Sequence, residues 1–119
     1  MEDSIVTTGE IIGVDIYLIE NEYLSAALKI EINGDVFLFG GRDLFASPAT
    51  GEVNFFGQFL LRCLQVTGVD KASEMVEKLI KVRLNESYIS GICAAHNDYW
   101  FYPGQDFVLI EKGTNAANE

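Results

Sequence analysis

The sequence has few of the residues from which most catalytic and metal sites are built. Among 119 residues there are one histidine, one tryptophan, two prolines and two cysteines. Two cysteines, Cys63 and Cys93, cannot form a disulfide framework, and in a reducing compartment we expect both to be small buried apolar side chains. A disulfide-stapled secreted domain is therefore not expected.

The scarcity of ligating side chains also argues against an active site. Cys93 and His96 have a spacing that could present a thiolate and an imidazole to a metal, but two ligands do not complete a tetrahedral site. Cys63 falls on a predicted core face of a helix, and a Cys–His nucleophile pair needs an orienting group that such a short segment is not expected to place. We therefore predict a non-enzymatic protein with no metal and no cofactor.

Long apolar runs are missing as well. Runs such as Phe59-Leu60-Leu61 are far shorter than the roughly 20 residues of a membrane span, and Met1-Glu2-Asp3 lacks the basic region of a signal peptide. We therefore expect a cytoplasmic protein. A composition that is 49% hydrophobic and 22% charged is typical of a globular chain. We predict one domain over residues 1–112 and a polar tail over residues 113–119.

Basic residues are also scarce compared with acidic ones. Eighteen acidic residues and eight basic residues give a net charge of −10, which argues against binding to nucleic-acid phosphates and favours a basic protein partner. The excess is concentrated in residues 1–56, where ten carboxylates accompany only Lys29 and Arg42. The alternative is that acidic charge simply keeps a small protein soluble.

The N-terminal half has the alternation of β-strands. Within residues 10–20 the even positions 12 to 18 are apolar, and within residues 22–32 so are the even positions 24 to 32. A third short run, residues 35–39, follows Asn33-Gly34, the dipeptide best suited to a type I′ hairpin turn. That turn pairs Ile30 with Phe37 and Leu28 with Phe39. The prediction is a three-stranded antiparallel meander.

The C-terminal half predicts helices followed by a hairpin. Asn54 can cap a helix over residues 55–67 that Gly68 ends, and Asp70 can cap a shorter one extending to Leu79. Residues 81–84 and 87–95 then form a β-hairpin that completes the sheet of an α+β fold. The helix over residues 55–67 is apolar around most of its circumference, so either the later strands cover it or it forms a homodimer.

Two sets of residues are candidates for binding. The larger set would attract a basic partner and anchor it through aromatic side chains; it consists of Asp15, Glu20, Glu22, Glu31, Asp35, Tyr99 and Trp100. Packing of the aromatic run 99–102 into the core is the alternative for the last two. The smaller set, Gly40, Gly41 and Arg42, could form a pocket for a small molecule such as a nucleotide messenger, and a structural subunit of a virion is a third possibility.

Five segments of the C-terminal half also resemble a group of small phage and prophage proteins of unassigned function. The segments are GQFLLRCL at residues 57–64, VTGVD at 66–70, KVRL at 81–84, ISGI at 89–92 and DYWFYP at 98–103. The resemblance implies a phage accessory protein, acting in the cytoplasm of the host. By analogy with anti-CRISPR proteins, it suggests an inhibitor that occupies a nucleic-acid groove of a host defence protein.

Overall fold

The computed structural model describes residues 4–21, 23–41 and 55–107. These residues form five strands in one antiparallel sheet, an α-helix, a 3₁₀ turn and a short helical segment over residues 103–107. In chain order the elements are β1 (Ser4–Ile19), β2 (Tyr23–Ile32), β3 (Asp35–Gly40), α1 (Phe56–Thr67), the 3₁₀ turn (Ala72–Met75), β4 (Leu79–Asn85) and β5 (Tyr88–Cys93). The predicted α+β fold, with a meander first and a hairpin last, is confirmed.

The β2–β3 hairpin has the predicted register. Asn33 and Gly34 have φ angles of 52° and 92°, which are the left-handed values that this two-residue turn requires. Ile30 pairs with Phe37, and Leu28 pairs with Phe39. Large apolar side chains therefore meet on the face of the hairpin that is buried.

β1 is long enough to serve two neighbours. Its N-terminal part pairs with β4 from Ser4 to Glu10, and its C-terminal part pairs with β2 from Glu10 to Ile19. A register shift between Ile11 and Gly13 separates the two parts. The bulge buries Ile11 and leaves the next residue, Ile12, exposed, so the regular even-numbered apolar row expected for this strand does not form. Toward the β1–β2 turn, Ile16 and Leu18 are also exposed.

The sheet curls so strongly that its first and last strands meet. The hydrogen-bonded order is β3-β2-β1-β4-β5, and β3 lies beside β5. The chain after β5 returns and pairs briefly with β5, because the backbone groups of Phe101 and Ile92 exchange two hydrogen bonds of 2.8 and 3.1 Å. This strand order, with a helix between β3 and β4, is the connectivity of the OB fold, a partly open five-stranded barrel.

α1 closes the core of this barrel. It buries Phe59, Cys63 and Val66, and the ring of Phe59 lies 5.5 Å from that of Phe39 and 6.0 Å from that of Phe101. The helix ends as predicted, with Gly68 in the left-handed conformation and its N–H bonded to the carbonyl of Leu64. It begins at Phe56 after a cap residue, Phe55, that makes no side-chain cap hydrogen bond; Asn54 lies outside the described residues.

The second helix is much shorter than predicted. Instead of extending to Leu79, it is the 3₁₀ turn Ala72–Met75. Glu77 then takes a φ of 78°, and its N–H donates to the carbonyl of Ile11 while the N–H of Ile11 donates to Lys78. Pairing with β1 therefore overrides the local helical pattern. Met75 is fully buried, whereas Leu79 is exposed at the start of β4.

Candidate functional site

One surface of the barrel is acidic. We call it the acidic face: the outer side of β1–β3, away from α1, which carries Glu10, Asp15, Lys29, Glu31, Val36 and Leu38 in register. Glu10 lies directly opposite Glu31 across the β1–β2 pair. In residues 4–21 and 23–41 there are five carboxylates and a single cation, Lys29.

The cation does not neutralise this face. Nζ of Lys29 lies 3.6 Å from Oδ2 of Asp15, and both side chains are about half exposed, so the pair contributes at most about 1 kcal/mol to stability. Two apolar side chains stand beside it on β3: Val36 is 55% exposed and Leu38 is 63% exposed. The acidic face thus combines negative charge with apolar area that a partner could cover.

The predicted acidic residues are spread along the β1–β2 hairpin. Asp15 and Glu31 lie on the acidic face, whereas Glu20 is in the β1–β2 turn and Asp35 starts β3 opposite Ile32, at the other end of β2. Ten residues of strand separate these ends by about 30 Å. Glu22 lies outside the described residues.

Glu10 belongs to the acidic face but is not among the binding residues predicted from the sequence. It lies at the end of a predicted strand, and only the pairing of β1 with β2 places it opposite Glu31.

A second surface is built on the β4–β5 hairpin, and Trp100 is at its centre. The indole stacks on the ring of Tyr102, with centroids 5.6 Å apart and planes 10° from parallel. Two cations also contact the indole. The guanidinium of Arg83 lies 5.2 Å and the ammonium of Lys81 lies 5.9 Å from the Trp100 ring centroid, within the range of cation–π attraction. Tyr99, by contrast, is 80% exposed. Both predicted aromatic anchors therefore lie beside β4 and β5, not on the acidic face.

Gly91 allows this arrangement. A Cβ atom built on Gly91 would lie 2.4 Å from Cδ1 of Tyr102 and 3.0 Å from the carbonyl oxygen of Phe101. A side chain at this position of β5 would thus occupy the space of the Tyr102 ring. The missing Cβ lets the segment that carries Trp100 and Tyr102 lie directly on the strand.

A cleft of about 610 Å³ opens where β3 and β5 meet the turn after Tyr102. Its lining residues are Phe39, Gly40, Arg83, Tyr88, Ile89, Ser90, Tyr102, Pro103, Gly104 and Gln105. Of the three residues predicted for a ligand pocket, Gly40 lines the cleft. The carbonyl of Gly41 instead accepts a buried 2.8 Å hydrogen bond from Ser25 Oγ, and Arg42 lies outside the described residues.

Both cysteines are buried, whereas the single histidine is exposed. Burial raises the pKa of the Cys63 thiol far above its usual range and also raises that of Cys93, which is the opposite of what a nucleophilic thiolate requires. The thiol of Cys93 donates to the carbonyl oxygen of Asn97 at 3.2 Å, and His96 is exposed. Among the described residues no group of three His, Cys, Asp or Glu side chains could hold a metal ion.

The apolar circumference of α1 is largely covered from within the chain. Phe59, Cys63 and Val66 are buried, and Phe56, Leu60 and Leu64 pack partly buried against the core. Leu61 is the large apolar side chain that the helix leaves half exposed. A homodimer through residues 55–67 stays a prediction, and the area that this helix could offer to a second copy is small.

The fold and these surfaces define a class: a small OB-type β-barrel with an acidic face on one half and an aromatic cluster and cleft on the other. No protein-family model, no curated protein and no solved structure matches the chain. Among the residues that the structure describes, no helix is both long and apolar enough to cross a membrane.

Proposed function

We propose that this protein is a non-enzymatic inhibitor whose acidic face binds a basic, nucleic-acid-binding surface of another protein. The observation that supports this function best is the charge of β1–β3, where five described carboxylates accompany one cation. A surface of this kind repels nucleic acid and raises the rate of encounter with a positively charged groove.

The shape of the acidic surface suits an extended groove. From Glu20 to Asp35 the carboxylates follow about 30 Å of the β1–β2 hairpin, and Asp15, Glu10 and Glu31 lie between these ends. Val36 and Leu38 supply exposed apolar area at the same face. Charge would guide association, and burial of these apolar side chains would slow dissociation.

The resemblance to small phage proteins suggests the kind of target. A phage accessory protein that competes with nucleic acid would act on a host defence protein such as a CRISPR effector, in the host cytoplasm. This assignment rests on the analogy with anti-CRISPR proteins. The acidic-face proposal for a basic protein partner stands independently of it.

The proposal is tested by competition with nucleic acid. A purified CRISPR effector with its guide RNA is bound to fluorescent target DNA, and the anisotropy is followed as the protein is added. We expect displacement at about 0.05 M salt that weakens strongly at about 0.5 M salt, because screening shortens the reach of the carboxylates. Glu10→Lys/Glu31→Lys should lose at least about tenfold in potency, equivalent to about 1.4 kcal/mol.

A matched double variant separates the acidic face from total charge. Asp70→Lys/Glu86→Lys makes the same change in net charge at exposed positions outside the acidic face and should remain close to the wild type. Equal loss in both double variants would show that only net charge matters. Absence of displacement at low salt would remove this effector as the target, and absence with a panel of basic nucleic-acid-binding proteins would overturn the function.

A further inference from the structure

The cleft between β3 and β5 differs in charge from the rest of the molecule. The chain has a net charge of −10, but none of the described residues that line the cleft is acidic, and one of them, Arg83, is cationic. Tyr88, Ser90, Tyr102 and Gln105 add neutral hydroxyl and amide groups. A cleft with this lining disfavours cations and presents donors to an anion.

Arg83 is held in place without a carboxylate. Its Nε donates to the hydroxyl of Tyr102 at 3.0 Å, and its Nη1 donates to Ser4 Oγ at 3.3 Å. Its guanidinium also lies over Trp100. Among the described residues no acidic side chain comes within ion-pair distance of Arg83, although Arg62 and Lys81 each have such a partner.

This arrangement leaves hydrogen-bond donors for a ligand. A guanidinium has five N–H groups in a planar fork, and the two contacts of Arg83 do not use all of them. Because the Tyr102 hydroxyl accepts from Nε of Arg83, its own proton is available to donate. The fork and the hydroxyl together match the geometry of a phosphate or carboxylate group.

The rest of the cleft is suited to a flat apolar group. Phe39 and Ile89 lie at its inner side and are almost fully buried, while the rings of Tyr88, Tyr102 and Pro103 form its walls. A volume of about 610 Å³ lies within the usual range of small-molecule sites. It accommodates a ligand of mononucleotide size.

We infer that this cleft binds a small organic anion, with its acidic group at Arg83 and Tyr102 and an aromatic body against Phe39, Ile89 and Tyr88. The site is separate from the acidic face, so ligand binding there does not depend on the proposed inhibitory function. It also replaces Arg42 with Arg83 as the cation of a ligand pocket that includes Gly40.

The test is a titration of the full ¹⁵N-labelled chain with AMP, adenosine and inorganic phosphate, followed by NMR. AMP should shift the amide signals of Arg83, Tyr88 to Ser90 and Tyr102 to Gln105. Adenosine lacks the acidic group and inorganic phosphate lacks the aromatic body, so each should bind at least about tenfold more weakly than AMP.

Variants connect the binding to the named groups. Arg83→Gln should weaken AMP binding about tenfold or more, and Tyr102→Phe, which keeps the ring and removes only the hydroxyl, should weaken it several-fold. Lys29→Gln makes the same charge change on the acidic face and should leave AMP affinity within about twofold.

Three results would overturn the inference. One is the absence of shifts with AMP and phosphate up to about 10 mM, a concentration that would detect even very weak binding. The second is equal affinity for adenosine and AMP, and the third is unchanged AMP affinity in both folded Arg83→Gln and Tyr102→Phe proteins. Tyr102→Phe keeps the test decisive if Arg83→Gln does not fold.

Discussion

The β1–β3 meander and the β4–β5 hairpin share one barrel and bury similar apolar side chains, but their outer faces differ. On β1–β3, Glu10, Glu31 and Asp15 face solvent with Lys29 between them. On β4–β5, the cations Lys81 and Arg83 lie under Trp100 and Tyr102. The inner positions specify the barrel, so the outer positions are free to carry a different chemistry on each half.

What lies across each face accounts for the difference. The segment after β5 returns over the hairpin, where the side chain of Tyr102 packs on Gly91, and its aromatic rings shelter the charges beneath them. Among the described residues, no comparable segment crosses the acidic face. The two proposals follow this difference: a large basic partner for the acidic face and a small anionic ligand for the cleft.

The largest expected effect comes from filling the space above Gly91. In Gly91→Ala the new Cβ would overlap the Tyr102 ring and crowd the carbonyl of Phe101. We expect the free energy of unfolding to fall by about 2–3 kcal/mol, with a change in the emission of Trp100, which stacks on Tyr102. Urea unfolding followed by fluorescence and circular dichroism measures both.

Gly57→Ala is the control for this substitution. A Cβ at Gly57, in α1, would meet no atom within 4 Å, and alanine favours a helix, so stability should stay unchanged or rise by up to about 1 kcal/mol. If Gly91→Ala is as stable as Gly57→Ala, the close packing of the aromatic segment on β5 is wrong.

An intermediate effect is expected from the buried thiols at high pH. Burial holds the pKa of Cys63 in the folded protein well above 9.0, the ordinary value for a thiol. Above that pH the unfolded chain loses the Cys63 proton while the folded chain keeps it. The unfolded state then binds fewer protons, so stability should fall with rising pH by about 1.4 kcal/mol per unit for this group.

Cys63→Ala separates this effect from the other titrating groups. The variant should be less stable than the wild type at pH 7, because it leaves a small cavity under α1, and the difference should shrink between pH 9 and about 10.5. Cys93→Ala should show the same trend on the β5 side, where burial raises the pKa of Cys93 and Lys81 partly opposes it. A constant difference across this range would contradict the burial of the thiol.

The smallest effect tests the acidic face itself. Glu10 and Glu31 lie opposite each other on neighbouring strands, and like charges in this position repel. Glu31→Gln should therefore raise the free energy of unfolding by about 0.3–1 kcal/mol at low salt and by much less at about 0.5 M salt. Glu86→Gln, at a turn outside the acidic face, should change stability by under about 0.3 kcal/mol at either salt concentration.

Local patterns predicted the elements whose cause is local. Asn33-Gly34 sets the β2–β3 turn, and Gly68 ends α1, because each position needs a positive φ that glycine or asparagine adopts readily. The hairpin of β4 and β5 also follows from alternation and from the turn at Glu86 and Ser87. These features need no knowledge of the rest of the fold.

The features that the sequence did not predict correctly depend on contacts between residues far apart in the chain. The bulge after Ile11 depends on β1 changing partners from β4 to β2, and the predicted helix to Leu79 was replaced by pairing with that same strand. The cleft joins Gly40, Arg83 and Tyr102, which are far apart in sequence. No spacing within a short window could have indicated that these residues meet.

The division of β1 between two partners also has a consequence during synthesis. Residues 10–19 can pair with β2 soon after they leave the ribosome, but Ser4 to Glu10 must wait for β4, whose last residue, Asn85, pairs with Ser4. At about 5–20 residues per second, that delay lasts roughly 4–16 seconds. Throughout this interval residues 4–10 present an unpaired strand edge, and the cell has that long to keep it from aggregating or to engage it with a chaperone.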